Sequence, residues 1–275
     1  MKILPITIED TQNKLIVQAV GYVMDTIPEI DPDRRRPAVI ICPGGGYHRL
    51  SPRESEPVAI QMLALGYQVF LLEYSVDDES FYPKQLFQLA HLVRYVRKHA
   101  KEFAIDPNKI IVAGFSAGGH LAAHLGTCWH KQLLTTHLGG SPEAWRPNGL
   151  LLSYAVLTTG PFTHQHSMEH LLGEHQEWRP LVSPAEQVTA NVPPCFIWHT
   201  VEDSVVPVEN ALLFAVALRQ KNVPFELHIY PHGPHGLSLA TEETKHHEMN
   251  RVQPEDASWL ALFATWMQTS ILKNT

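Results

Sequence analysis

Ser116 stands in Gly114-Phe115-Ser116-Ala117-Gly118, directly after the apolar run Ile110-Ile111-Val112-Ala113. A G-x-S-x-G set between a strand and a helix lifts a serine hydroxyl onto a strained turn. Side chains two places to either side would collide with the neighbouring strand and helix. A helix opening at Ala117 would point its first N–H groups, and the positive end of its dipole, at negative charge growing beside that serine. That is the chemistry of an acyl-transferring nucleophile. A tight turn in need of small residues would carry the same five letters, so the rest of the chain must supply a base, a carboxylate and an anion-binding loop.

Three stretches offer them. Asp203, in Glu202-Asp203-Ser204-Val205-Val206-Pro207, can orient an imidazole and stabilise its charged form. Glu202 competes with it, and Asp203 could instead cap the helix that Pro207 opens; Asp203 is preferred because D-x-x-V-P leads directly into that helix. His235, in Pro231-His232-Gly233-Pro234-His235-Gly236, follows the last strand-like run, with His232 as its rival in the same loop. Gly236 allows close backbone approach next to His235, which favours His235 as the base. Pro43-Gly44-Gly45-Gly46-Tyr47 follows the run Ala38–Cys42, and its glycines can present bare N–H groups to a ligand, as an oxyanion hole requires. A phosphate loop would need G-x-x-x-x-G-K-[ST], or G-x-G-x-x-G opening a helix, and neither is present.

The elements that must position these groups alternate along the chain. Strands are expected at residues 3–8, 15–23, 38–42, 67–74, 105–115, 149–157, 195–200 and 225–230. Helices are expected at 54–65, from Pro83 to Phe103, at 117–127, at 207–220, and from Pro254 onward with Trp259, Leu260, Leu262, Phe263 and Trp266. Short strands separated by longer helices predict an α/β fold with a mostly parallel, doubly wound sheet. One domain over residues 1–275 is expected, with a polar, histidine-rich insertion at 158–192 that holds one helix and forms a short cap. Ligands of such sheets collect at the carboxyl ends of the strands. Ser116, Asp203, His235 and the glycine loop all follow predicted strands there.

Composition narrows the partners. The chain has 275 residues, is 44% hydrophobic and 18% charged, and carries a formal net charge of −7. That balance suits a globular protein and argues against nucleic acid, because no basic stripe faces the phosphates. The N-terminus lacks a secretory h-region and no apolar run is long enough for a membrane helix, so a cytoplasmic protein without membrane contact is expected. Cys42, Cys128 and Cys195 have no metal-type spacing and read as reduced, buried thiols. The 17 histidines lack H-E-x-x-H spacing. Most are expected to be exposed and polar, and no metal is expected.

Together, PGGGYHRLSPRESEPVA, IDPNKIIVAGFSAGGHLAAHLGT, HTVEDSVVPVEN and YPHGPHGLSL resemble the bacterial acetylesterase or acetyl-xylan-esterase-like carbohydrate esterases. These are relatives of the hormone-sensitive-lipase-like α/β-hydrolases, and the resemblance runs from about Pro37 to Leu239. It implies an α/β-hydrolase fold, Ser116 as nucleophile, His235 as base, Asp203 as its orienting carboxylate, and the backbone N–H groups of Gly44, Gly45 and Ala117 as oxyanion donors. The chain order Ser, Asp, His is the one α/β-hydrolases use. One departure is Pro43, which stands where the lipase relatives have the histidine of HGGG. The resemblance implies a small-molecule ester substrate such as an acetylated sugar or a simple aryl or alkyl ester, no cofactor, and a homo-oligomer. An arylformamidase would use the same triad on a formyl amide, and a non-catalytic receptor of the same fold would have no need of all three residues.

Overall fold

The computed structural model describes residues 1–77, 81–247 and 251–273. Eight strands form one sheet in the order β1-β2-β4-β3-β5-β6-β7-β8. These are β1 (Lys2–Asp10), β2 (Leu15–Val23), β3 (Arg36–Cys42), β4 (Gln68–Glu73), β5 (Ile105–Phe115), β6 (Gly149–Ser153), β7 (Cys195–Thr200) and β8 (Phe225–Tyr230). β1 and β2 form an antiparallel hairpin, and β2 joins β4 antiparallel; β4, β3, β5, β6, β7 and β8 then run parallel. This is the α/β-hydrolase arrangement that the resemblance implied.

Strand alternation sends side chains to two cores, one on each face of the sheet. Ile40 and Val112 join Leu89, Leu92 and Val96 of α2 (Lys84–Lys98), Leu121 and Leu125 of α3 (Ala117–Cys128), and Phe214 and Leu218 of α6 (Glu209–Gln220). Val39, Ile41, Ile111 and Ala113 point the other way. They meet Val58 and Met62 of α1 (Glu56–Ala64) and Trp259, Phe263 and Trp266 of α7 (Trp259–Trp266). The central strands are buried on both faces, hence their near-continuous apolar reading. Two further helices, α4 (Gln132–Leu138) and α5 (Gln165–Leu172), lie at the carboxyl side of α3 and in the 158–192 insertion. Short 3₁₀ turns complete that insertion.

Several expected boundaries move. The strand predicted over 149–157 ends at Ser153, because Tyr154 turns at φ 37°. Val156 N–H then donates to the Ser116 carbonyl at 3.2 Å. The helix expected to Phe103 stops at Lys98, where a turn leads to Ala104 at φ 51°. The final helix begins at Trp259 rather than Pro254, after a 3₁₀ turn at Asp256–Ser258. Cys42, Cys128 and Cys195 are free and buried as expected. Among the described residues, no helix is long and apolar enough to cross a membrane.

Candidate active site

The turn between β5 and α3 holds Ser116 at φ 53°, ψ −118°, a backbone conformation that side chains rarely adopt. Its flanking glycines are required by contact. A Cβ on Gly114 would lie 2.2 Å from the Gly118 carbonyl oxygen, and one on Gly118 would lie 2.1 Å from the Cys42 carbonyl oxygen. Ser116 N–H donates to Ser153 O at 3.0 Å, so β6 helps hold the turn. Strain of this kind costs on the order of 1–3 kcal/mol and persists only where surrounding structure enforces it.

Three chain segments converge on that serine. His235 Nε2 lies 2.8 Å from Ser116 Oγ, and His235 Nδ1 lies 2.6 Å from Asp203 Oδ2. Val205 and Val206 N–H donate to Asp203 Oδ1 at 3.0 and 2.8 Å. Asp203 sits directly beyond β7 and His235 beyond β8, at the carboxyl ends of strands. Burial alone would raise the Asp203 pKa. Hydrogen bonds from His199 and His235, the His235 charge and the Val206 N–H outweigh that and hold the carboxyl well below the usual carboxylate range. The carboxylate therefore stays ionised beside the imidazole. His199, fully buried, is a partner sequence reading missed: its Nε2 lies 3.4 Å from Asp203 Oδ2 and donates to Val206 O at 2.8 Å.

The rivals are elsewhere, bonded to each other. His232 Nδ1 meets Glu202 Oε1 at 2.9 Å on the surface, where their side chains are 70% and 57% exposed. The Glu202 hydrogen bond and charge raise the His232 pKa.

The glycine loop follows β3 and is latched from several sides. Tyr74 OH donates to Pro43 O at 2.6 Å, and Ser51 N–H donates to Gly44 O at 2.9 Å. Gly45 takes φ 124°, and a Cβ there would lie 2.0 Å from Arg49 O. The expectation for Gly44 needs correction. Its N–H already donates to Glu54 Oε2 at 2.8 Å, so that donor is engaged within the protein. Gly45 N–H has no acceptor among the described residues, and Ala117 N–H lies in the first turn of α3, where no helix carbonyl can accept it.

Glu54 was not legible as a site residue. It is 3% exposed, and its other oxygen accepts from Tyr154 OH at 2.7 Å. Tyr154 OH in turn accepts Ser238 N–H at 2.9 Å, close to His235 in the chain. Glu54 thus ties the glycine loop to the histidine loop. Glu54→Ala would leave two buried donors unpaired, at roughly 1–3 kcal/mol each. The expected result is a lower melting temperature together with a lower kcat on a small ester. An unchanged kcat in a folded Glu54→Ala protein would show that the loop holds its shape without this latch.

The cavity over Ser116 is about 290 Å³, and most of the side chains that line it are polar or charged. Arg49, Arg53, Arg251, His48, His164 and His166 reach it, while among the described residues Val205 is its one purely aliphatic side chain. Arg53 Nη2 and Arg251 Nη1 both donate to Gly236 O, at 2.7 and 2.8 Å, beside His235. The 158–192 insertion contributes His164 and His166 to the lining of the cavity. The expectation that most histidines are exposed does not hold: His91, His120, His124 and His199 are buried, eight more are half-buried, and only His48, His166, His175, His232 and His247 are exposed.

Residues 24–218 match the BD-FAE family. The chain is 40% identical over 220 residues to endo-1,4-beta-xylanase B of Butyrivibrio fibrisolvens, covering 77% of this chain and 34% of that protein. It is 29% identical over 214 residues to an acetylxylan esterase of Xylanibacter ruminicola, covering 74% of this chain and 42% of that one. The chain thus spans about a third and about two-fifths of these curated relatives. Among solved structures, an acetyl ester-xyloside bifunctional hydrolase from Caldicellulosiruptor lactoaceticus superposes with a TM-score of 0.80 at 35% identity, covering 98% of this chain and 96% of that one.

Proposed function

The chain belongs to the BD-FAE family, and from that membership we propose that it is a serine carboxylic ester hydrolase acting on small acyl esters, foremost acetyl esters of carbohydrates. The observation that carries this reading is the Ser116–His235–Asp203 relay at 2.8 and 2.6 Å, opening into a polar cavity. Relatives named as an acetylxylan esterase and an acetyl ester-xyloside hydrolase support the acyl group and the sugar.

His235 Nε2 accepts the Ser116 hydroxyl proton as Oγ attacks the ester carbonyl. Asp203 holds the imidazole in the tautomer that accepts at Nε2 and stabilises the imidazolium that forms. The oxyanion is taken by the N–H groups of Gly45 and Ala117, with Gly44 kept in place by Glu54 rather than donating itself. His235 then protonates the departing alcohol. Water, deprotonated by the same imidazole, attacks the acyl-enzyme and releases the acid. Every proton passes through one histidine.

The xylanase name of one relative raises glycoside hydrolysis as a second activity for the same cavity. That chemistry needs two carboxyls about 5–5.5 or 6.5–9.5 Å apart across the sugar. Among the described residues Glu54 is the one carboxylate lining the cavity, and both its oxygens are engaged, by Gly44 and Tyr154. Ester hydrolysis is the better reading.

The cavity volume lies at the small end of ligand sites, which run from about 300 Å³ upward. In an open apolar channel each buried CH₂ would add ~0.8 kcal/mol of binding. Here the walls offer guanidinium and imidazole groups instead, which suit hydroxyls. Across aryl acetate, butyrate and octanoate, kcat/KM is expected to fall stepwise, and acetylated xylo-oligosaccharides to be deacetylated. A maximum at octanoate would overturn the acetyl assignment, and preference for N-formylkynurenine over aryl acetate would reassign the enzyme to formyl amides.

A further inference from the structure

We propose that His48, Asp77 and His170 form a site for a divalent transition-metal ion of the Zn²⁺ class at the rim of the cavity that holds Ser116. Asp77 Oδ1 lies 3.3 Å from His48 Nδ1 and 3.7 Å from His170 Nδ1, and the three ligand atoms lie within 4.8 Å of one another. Metal–nitrogen and metal–oxygen bonds of roughly 2.0–2.2 Å give a tetrahedral ion ligand-to-ligand edges of about 3.4 Å. The two separations from Asp77 bracket that edge, and the third is within 4.8 Å, so an ion is reached by side-chain adjustment alone.

Two imidazoles and a carboxylate form a borderline donor set that suits Zn²⁺, Co²⁺, Ni²⁺ or Cu²⁺ better than Mg²⁺ or Ca²⁺. Three protein ligands also leave a coordination position open. The segments that carry them are already fastened together. Asp77 N–H donates to Tyr47 O at 2.9 Å, next to His48, and Tyr82 N–H donates to Leu171 O at 2.9 Å, next to His170. His166 stands one turn before His170 on α5, with ring centroids 4.4 Å apart. His48 and His166 both line the Ser116 cavity, which places the ion at its entrance.

A second cluster shows what such a site must avoid. Asp10, His91 and His137 are similarly close, but Arg94 Nη2 lies 3.1 Å from His91 Nδ1. A guanidinium donor facing Nδ1 puts the proton of His91 on Nε2, the atom that would have to bind the metal. The adjacent positive charge adds repulsion. Among the described residues no arginine meets a ring nitrogen of His48 or His170, so the proton that each Nδ1 directs at Asp77 can move to Nε2 when a metal binds.

The proposal does not depend on the substrate, because its main readout is binding. The 275-residue chain is titrated with ZnCl₂ by calorimetry and with CoCl₂ by visible absorption, as wild type, His170→Ala, Asp77→Asn and His137→Ala. The wild type and His137→Ala are expected to bind one tight equivalent with the intense d–d bands of tetrahedral Co²⁺. His170→Ala and Asp77→Asn are expected to bind at least ~10-fold more weakly and to lose those bands. Unchanged affinity in both of those variants would overturn the site, as would loss of binding in His137→Ala.

Discussion

Ser116→Ala is expected to fold as the wild type does and to lose roughly 10⁶-fold in kcat, the scale found when serine hydrolases lose their nucleophile. The fold should survive because Ala meets the same backbone demand at φ 53° that Ser already meets. The contact removed is the bond to His235 Nε2 at 2.8 Å, with a hydroxyl that is 6% exposed in residue terms. Catalysis should vanish because, among the described residues, Ser116 is the hydroxyl bonded to His235 Nε2. An organophosphonate should label the wild type at Ser116 alone and leave the variant untouched. Labelling of any other serine would remove Ser116 from its role. Circular dichroism and melting on the same samples separate a lost nucleophile from a lost fold.

The second large effect distinguishes two histidines three positions apart. His235→Ala is expected to cost about as much as loss of the serine, because base and nucleophile act as one unit and their losses do not add. The double variant with Ser116→Ala should therefore be no slower than either single one. His232→Ala removes an exposed ion pair with Glu202 and should leave kcat unchanged. Steady-state kinetics on an aryl acetate decides between them: a dead His232→Ala beside an active His235→Ala would move the base and its carboxylate to the surface pair.

Much of this site could be read from residue order. Ser116, Asp203 and His235 each fall just past a strand that is recognisable by its β-branched or aromatic run, and a parallel sheet brings those ends to one edge. The glycines beside Ser116 carry their reason locally, in the clash that a Cβ would make. The fate of Gly44 does not. Its N–H is claimed by Glu54, whose other oxygen is bound by Tyr154, 100 residues further on. Nothing in Pro52-Arg53-Glu54 signals that partner. The end of β6 was hidden for a similar reason: Tyr154-Ala155-Val156-Leu157 is apolar enough to continue a strand, yet the chain turns there to reach Ser116. His170 carries no local sign of a metal-binding role, because the groups it meets, His48 and Asp77, come from distant parts of the chain.

The relay joins parts of the chain that are far apart: His235 and Ser116 are separated by 119 residues, and His235 and Asp203 by 32. Closing those contacts requires β7 and β8 to have docked beside β6, so the site comes into being only with the sheet. Long-range strand pairing is the slow part of folding, since the loop entropy must be overcome before the contacts reward it. Hydrolysis of a fluorogenic ester is therefore a clock for the end of folding. In a refolding experiment its onset should trail the recovery of helical dichroism, and the lag between them measures how long the chain holds its helices before it can act.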